Sequence, residues 1–141
     1  MAIVDRVYVD TSAYLAVLLG ERGAAQTLGF LKNKALCSST LLSIEAERNL
    51  IHLVRRRQLS RKLYEEAFHQ LRVDTELFVL RDLTPDLCLG RDFPPVRTPR
   101  SSDLVHLRTA RWFLENGGLL RFTALDDGLL KAAEEFGLPV S

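Results

Sequence analysis

The chain has 141 residues, 47% of them apolar and 26% charged, and its 19 Lys and Arg nearly balance 18 Asp and Glu for a formal net charge of +1. A chain of this length and composition can bury a core without disulfide or metal staples, and two cysteines, Cys37 and Cys88, exclude a disulfide framework and a zinc cage. The near-zero charge excludes a protein that coats nucleic acid through a broad basic excess, so cationic contacts with such a substrate must be local. No basic segment leads into an apolar run and a small-residue cleavage site, so no signal peptide is expected. No apolar run approaches the roughly 20 residues that span a bilayer. One cytoplasmic domain over residues 1–141, with no membrane association, is the expectation.

In chain order, β-like runs alternate with helical periodicity. Strands are predicted at Ile3–Val9, Ala35–Cys37, Leu77–Leu80, Leu119–Ala124 and Pro139–Val140. Helices are predicted at Thr11–Leu19, Gly23–Lys32, Thr40–Arg57, Ser60–Leu71, Ser101–Glu115 and Asp126–Phe136. Ser and Thr suit helix starts, and Gly117 and Gly137 suit helix ends. Residues 84–100 hold four of the five prolines and are predicted as a loop. The alternation predicts an α/β fold, a three-layer sandwich with a central, mainly parallel sheet flanked by helices.

In such sheets ligands bind beyond the carboxyl ends of the strands. The first strand, "VYV", runs directly into Asp10, which either caps the following helix or serves a site at that edge. Asp103 opens the helix "DLVHLRTARWFLE" and shares a stripe with Leu107, Ala110 and Leu114, so its carboxylate points inward. The strand "LLRFTAL" delivers Asp126 and Asp127, one as a cap and the other facing the edge. Glu45 borders the stripe Leu42, Ala46, Leu50, Leu53 and Val54, whereas Glu47 turns outward toward Arg48. Carboxylates gathered in one cleft repel each other unless a cation binds. An all-oxygen set suits Mg²⁺ or Mn²⁺, and that combination suits phosphodiester hydrolysis.

Four blocks in order resemble the PIN-domain ribonucleases, most nearly the VapC toxins of bacterial toxin–antitoxin pairs: "VYVDTSAYL", "SSTLLSIEAERNL", "SSDLVHLRTA" and "FTALDDGLLKAAEEFGLPV". Aligning the Arg48-Asn49-Leu50 ending makes Glu45 the counterpart of the family's Glu, and counting back from Gly137 selects Asp126, with Asp127 the alternative. The resemblance implies a PIN-like fold and a metal-dependent endoribonuclease. By that resemblance Asp10, Asp103 and Asp126 hold Mg²⁺ or Mn²⁺, Glu45 orients or activates water, and Thr11 and Thr123 support them. It also implies an RNA substrate, a homodimer and a VapB-type antitoxin partner. The chain departs from the family in "RDFPPVRTPRSSD", where Arg97 and Arg100 either touch RNA phosphates or sit solvated in an exposed loop.

Other features carry less. The basic run "HLVRRRQLSRKLY" reads as a solvated helix end, and His52, His69 and His106 lack metal-ligand spacing, so His106 is expected to be structural. Trp112 and the phenylalanines are expected in the core, and Tyr14, Leu15 and Leu18 in the core or a partner-facing groove. An aspartyl-nucleophile phosphatase needs an acid where Ser12 stands, a receiver domain needs paired acids at the first strand end, and the P-loop signature is absent. The remaining alternatives are a catalytically silent PIN-fold module binding RNA or protein, and an RNA-processing nuclease that is not a toxin.

Overall fold

A computed structural model describes residues 5–21, 24–91 and 94–140. Its elements in chain order are β1 (Arg6–Val9), α1 (Thr11–Leu19), α2 (Ala24–Leu31), β2 (Ala35–Ser39), α3 (Leu41–Arg55), α4 (Arg61–Leu77), β3 (Val79–Arg81), α5 (Pro85–Leu89), α6 (Ser101–Glu115), β4 (Arg121–Thr123) and α7 (Asp127–Glu135). The strands form one parallel sheet in the order β3-β2-β1-β4.

Alternation along β1 divides the core into two layers. Val7 and Val9 point toward α1, α3 and α4, meeting Tyr14, Leu42, Ala46, Leu50 and Leu71. Tyr8 points the other way, into Leu107, Phe113, Phe122, Leu129 and Phe136 of α6, β4 and α7. A parallel sheet needs both faces covered, and helices cover both here. The expected three-layer α/β sandwich is therefore the observed architecture.

Several boundaries differ from expectation. Ile3 and Val4, with Gly23, lie outside the described residues. Helix α4 runs six residues past Leu71, through Leu77, so the predicted strand at Leu77–Leu80 begins only at Val79. Tertiary contact overrides the β-branched Val73 and Thr75 there, because the Tyr14 hydroxyl donates to Asp74 Oδ2 at 2.7 Å. Within the Pro-rich loop, Pro85 starts the short helix α5, a first-turn position where its missing N–H costs nothing. Pro139–Val140 is not a strand. Pro139 accepts from the Phe122 N–H at 2.7 Å, but a proline has no N–H with which to extend a ladder. The caps are likewise redistributed: Ser60 caps α4, whereas Thr40 makes no side-chain bond at the start of α3. Gly117 and Gly137 do take the positive φ expected of helix ends. Among the described residues no helix is long and apolar enough to cross a membrane.

Candidate active site

Strand β1 has β2 on one side and β4 on the other, so the strand order reverses between β1 and β4. A cleft opens at such a switch point, beyond the carboxyl ends of the strands. Asp10 lies there, following Val9, with its N–H donating to Thr123 O at 3.0 Å and only 3% of its surface exposed. It caps α1: Oδ1 accepts from the Ala13 N–H at 2.9 Å. The Ser12 hydroxyl donates to the same carboxylate, 2.8 Å from Oδ1 and 2.9 Å from Oδ2, and in turn accepts from the Leu125 N–H at 3.2 Å. Cap and buried acid at the sheet edge are thus one residue. Burial pushes the Asp10 carboxyl above its ordinary pKa, and the Ala13 amide, the neighbouring His106 and the Ser12 hydroxyl only partly offset it.

Asp103 is buried in the first turn of α6, on the same inward stripe as Leu107 and Ala110. Arg100 Nη2 lies 3.4 Å from Asp103 Oδ1, but the arginine side chain is 70% exposed, so the pair contributes little. Asp126, in contrast, is exposed and caps α7, its Oδ1 accepting from the Leu129 N–H at 2.9 Å. Asp127, also exposed, is the first residue of that helix. Among the described residues Asp126 is linked to the Asp10 network through the chain, by way of the Leu125 amide on Ser12. It lines a cavity of about 480 Å³ together with Arg97, Pro99 and Lys131. The larger cavity, about 670 Å³, lies beside Tyr14, Leu36 and Phe78 and contains none of the predicted acids.

Glu45, half-buried on α3, is tied to the other elements. Its Oε1 accepts from the Thr11 hydroxyl at 2.8 Å and lies 2.7 Å from His106 Nε2. Burial would raise its pKa, but the neighbouring His106, with the Thr11 and Ser102 hydroxyls, outweighs that and holds the carboxyl below its ordinary value. Two carboxyls of one edge are therefore pushed in opposite directions, one by burial and the other by its hydrogen-bond partners. Glu47 is half-buried rather than turned fully outward, and forms no ion pair among the described residues.

The donor chemistry fits a hard divalent cation. It offers only oxygens, two of its carboxylates are buried, and the buried Thr123 Oγ1 has no hydrogen-bond partner among the described residues. Mg²⁺ commonly takes one or two carboxylates and fills its remaining positions with water and substrate oxygens. The gathering is looser than the sequence suggested, however. Among the described residues no group of three or more His, Cys, Asp or Glu side chains is placed to hold a metal ion.

Sequence reasoning missed two residues. Ser12 holds both Asp10 oxygens, and its signal was a hydroxyl two positions beyond a helix-capping acid. His106, 2% exposed, joins three elements: Nδ1 lies 2.6 Å from Tyr8 Oη, while Nε2 approaches both Glu45 and Thr11. Its signal was its place one turn beyond Asp103 on the buried stripe, since a buried imidazole needs polar partners.

A four-stranded parallel sheet between helical layers, with acids at the carboxyl ends of its strands, is the PIN-like α/β fold. The crystal structure of Mycobacterium tuberculosis VapC20, a sarcin–ricin loop cleaving toxin, matches with a TM-score of 0.60 and 20% identity, over 89% of this chain and 94% of that one. The likeness is one of fold. No family model matches the sequence, and no curated protein does.

Proposed function

We propose that this chain is a single-domain PIN-type endoribonuclease using Mg²⁺ or Mn²⁺, and the cytoplasmic toxin of a toxin–antitoxin pair with a VapB-type partner. The observation that carries the reading is the set of carboxylates at the switch point: Asp10 and Asp103 buried, with Glu45 beside them held ionised. The shared fold with a toxin that cleaves the sarcin–ricin loop supports the toxin assignment.

Asp10 and Asp103 would hold the cation, with Asp126 contributing the oxygen it does not use as a cap, and Thr11 and Thr123 supporting the set. When bound, the ion supplies Lewis acidity toward a phosphodiester oxygen. Glu45 accepts a proton from the attacking water. The water oxygen bonds to phosphorus, the bond to the leaving ribose oxygen breaks, and that oxygen takes a proton from solvent. Asp10 and Ser12, fixed by the α1 cap, keep this edge preorganised before RNA arrives. A homodimer of this domain belongs to the same reading.

The test is cleavage of a structured RNA by purified protein with Mg²⁺ or Mn²⁺, with and without chelator, beside D103N. Cation-dependent cleavage lost in D103N is the expected result; cleavage that survives both chelator and D103N refutes the site. Growth arrest on expression, relieved by D103N, supports the toxin role, and harmless expression of an active nuclease favours RNA processing instead.

A further inference from the structure

The contacts around His106 can be assigned hydrogens one at a time. Glu45, held as a carboxylate, has no hydrogen to give. The Thr11 hydroxyl donates to Glu45 Oε1, and His106 Nε2 lies 2.7 Å from that oxygen, so Nε2 must carry a hydrogen. On the other side of the ring, Tyr8 Oη lies 2.6 Å from Nδ1. The phenol is completely buried, with its ring stacked on Phe122 at 5.3 Å, and a neutral phenol has one hydrogen to donate. With its hydrogen turned to the ring it donates to Nδ1, which is then the bare nitrogen. The ionisable groups facing this chain are Asp10 beyond β1, Cys37 on β2, Glu45 on α3, and Asp103 one turn earlier on α6.

We infer that Tyr8 and His106 are positioning residues for Glu45, a directional chain in which a neutral imidazole, accepting from Tyr8 at Nδ1 and protonated at Nε2, pins Oε1 of the carboxylate. The role assigned to Glu45 rests on the ribonuclease reading above, whereas the placement of hydrogens stands without it. The chain acts at a distance from substrate. Tyr8 fixes the tautomer, the tautomer fixes the donor, and the donor fixes the carboxylate, in the way that outer hydrogen-bond partners orient catalytic ligands. With Thr11 and His106 both on Oε1, Glu45 cannot rotate without breaking two bonds.

The experiment has two arms. In the first, full-length protein carrying isotope-labelled histidine is examined by proton–nitrogen correlation spectroscopy at neutral pH. His52 and His69 are exposed, and H106Q identifies the buried ring by the signals it removes. The expected result is a protonated Nε2 and a bare Nδ1 for His106. An Nδ1-protonated ring or a doubly protonated one overturns the inference, whatever the enzyme does. In the second arm, RNA cleavage by Y8F, H106L and H106Q is separated into kcat and KM. Y8F and H106L should lose about 10- to 100-fold in kcat with KM held. H106Q, which keeps an N–H near the place of Nε2, should retain more activity than H106L. Equal losses in H106Q and H106L, or losses confined to KM, overturn the positioning role. A wild-type protein inert toward RNA with either cation overturns the ribonuclease reading alone, and the spectra then decide the chain.

Discussion

Replacing Asp10 separates its two roles. In D10N the amide oxygen can still accept from the Ala13 N–H and the Ser12 hydroxyl, bonds that are 2.9 and 2.8 Å in the native protein. Asn ranks with Asp as a helix cap, so α1 keeps its start. What disappears is a carboxylate that is 3% exposed and whose folded pKa burial has raised. For a raised acid, the stabilising contribution is present below the unfolded pKa and lost as pH rises through the folded one. Above the folded pKa the full penalty applies, so at such a pH D10N without added cation should melt at or above the wild type. D10A relieves the same penalty but leaves the Ala13 N–H without its cap, a loss of about 1 kcal/mol. D10A should therefore melt roughly 4 °C below D10N in a chain of this size. Both variants remove a ligand from the proposed site, where loss of about 3 kcal/mol of transition-state stabilisation means about 100-fold slower cleavage. Thermal melts of the three proteins in chelator, with RNA cleavage assayed alongside in Mg²⁺, test both halves. D10N melting clearly below D10A would refute the cap reasoning, and undiminished cleavage by D10N would refute the metal site.

E45Q should slow cleavage by about 10²- to 10⁴-fold, as expected for loss of a general base, and E47Q should stay within about twofold of wild type; the reverse order in single-turnover rates would transfer the role to Glu47. Arg6 donates from Nη2 to the carbonyls of Phe113, Asn116 and Gly118 at the end of α6, at 2.9, 2.9 and 2.8 Å. R6K, which cannot reproduce that fork, should lose about 1–3 kcal/mol in a denaturant titration, with its cleavage rate unchanged in the folded protein. Burial pushes the Cys37 thiol up to about 12, while Cys88 is exposed. A thiol reagent near pH 8 should therefore label one cysteine in the folded protein and both after unfolding; two fast equivalents in the folded protein would contradict the burial.

The fold was legible because its determinants are local. Val7, Tyr8 and Val9 form a buried strand that ends at an acid, and Leu42, Ala46 and Leu50 repeat at helical spacing and are fully buried. Asp103 could be placed inward for the same reason, since its stripe continues through Leu107 and Ala110. Illegible features depended on distant partners. The extension of α4 through Val73 and Thr75 is tied down by Tyr14, 60 positions earlier than Asp74. His106 is read as a lone histidine until Tyr8, 98 positions away, and Glu45, 61 positions away, are brought against it.

Asp126 shows why a motif and a position are different kinds of evidence. The sequence offers two adjacent acids after β4, and spacing selects the first. In the fold that residue spends Oδ1 on the Leu129 amide and sits exposed, while Asp10, also a cap, sits buried with both oxygens on Ser12. The difference follows from location. Asp10 leaves a strand with a neighbour on either side, so β4 and the Leu125 amide close over it. Asp126 lies three residues beyond β4, an end strand of the sheet, where no further strand of the described residues encloses it. A cation at this edge would therefore be held from within by Asp10 and Asp103 and reached from the open side by Asp126. Substitution at Asp126 should accordingly weaken cation dependence less than substitution at Asp103, and titrating the cleavage rates of D126N and D103N against Mn²⁺ measures the difference. Equal or greater weakening in D126N would show that the exposed acid, despite its capping bond, is a principal ligand.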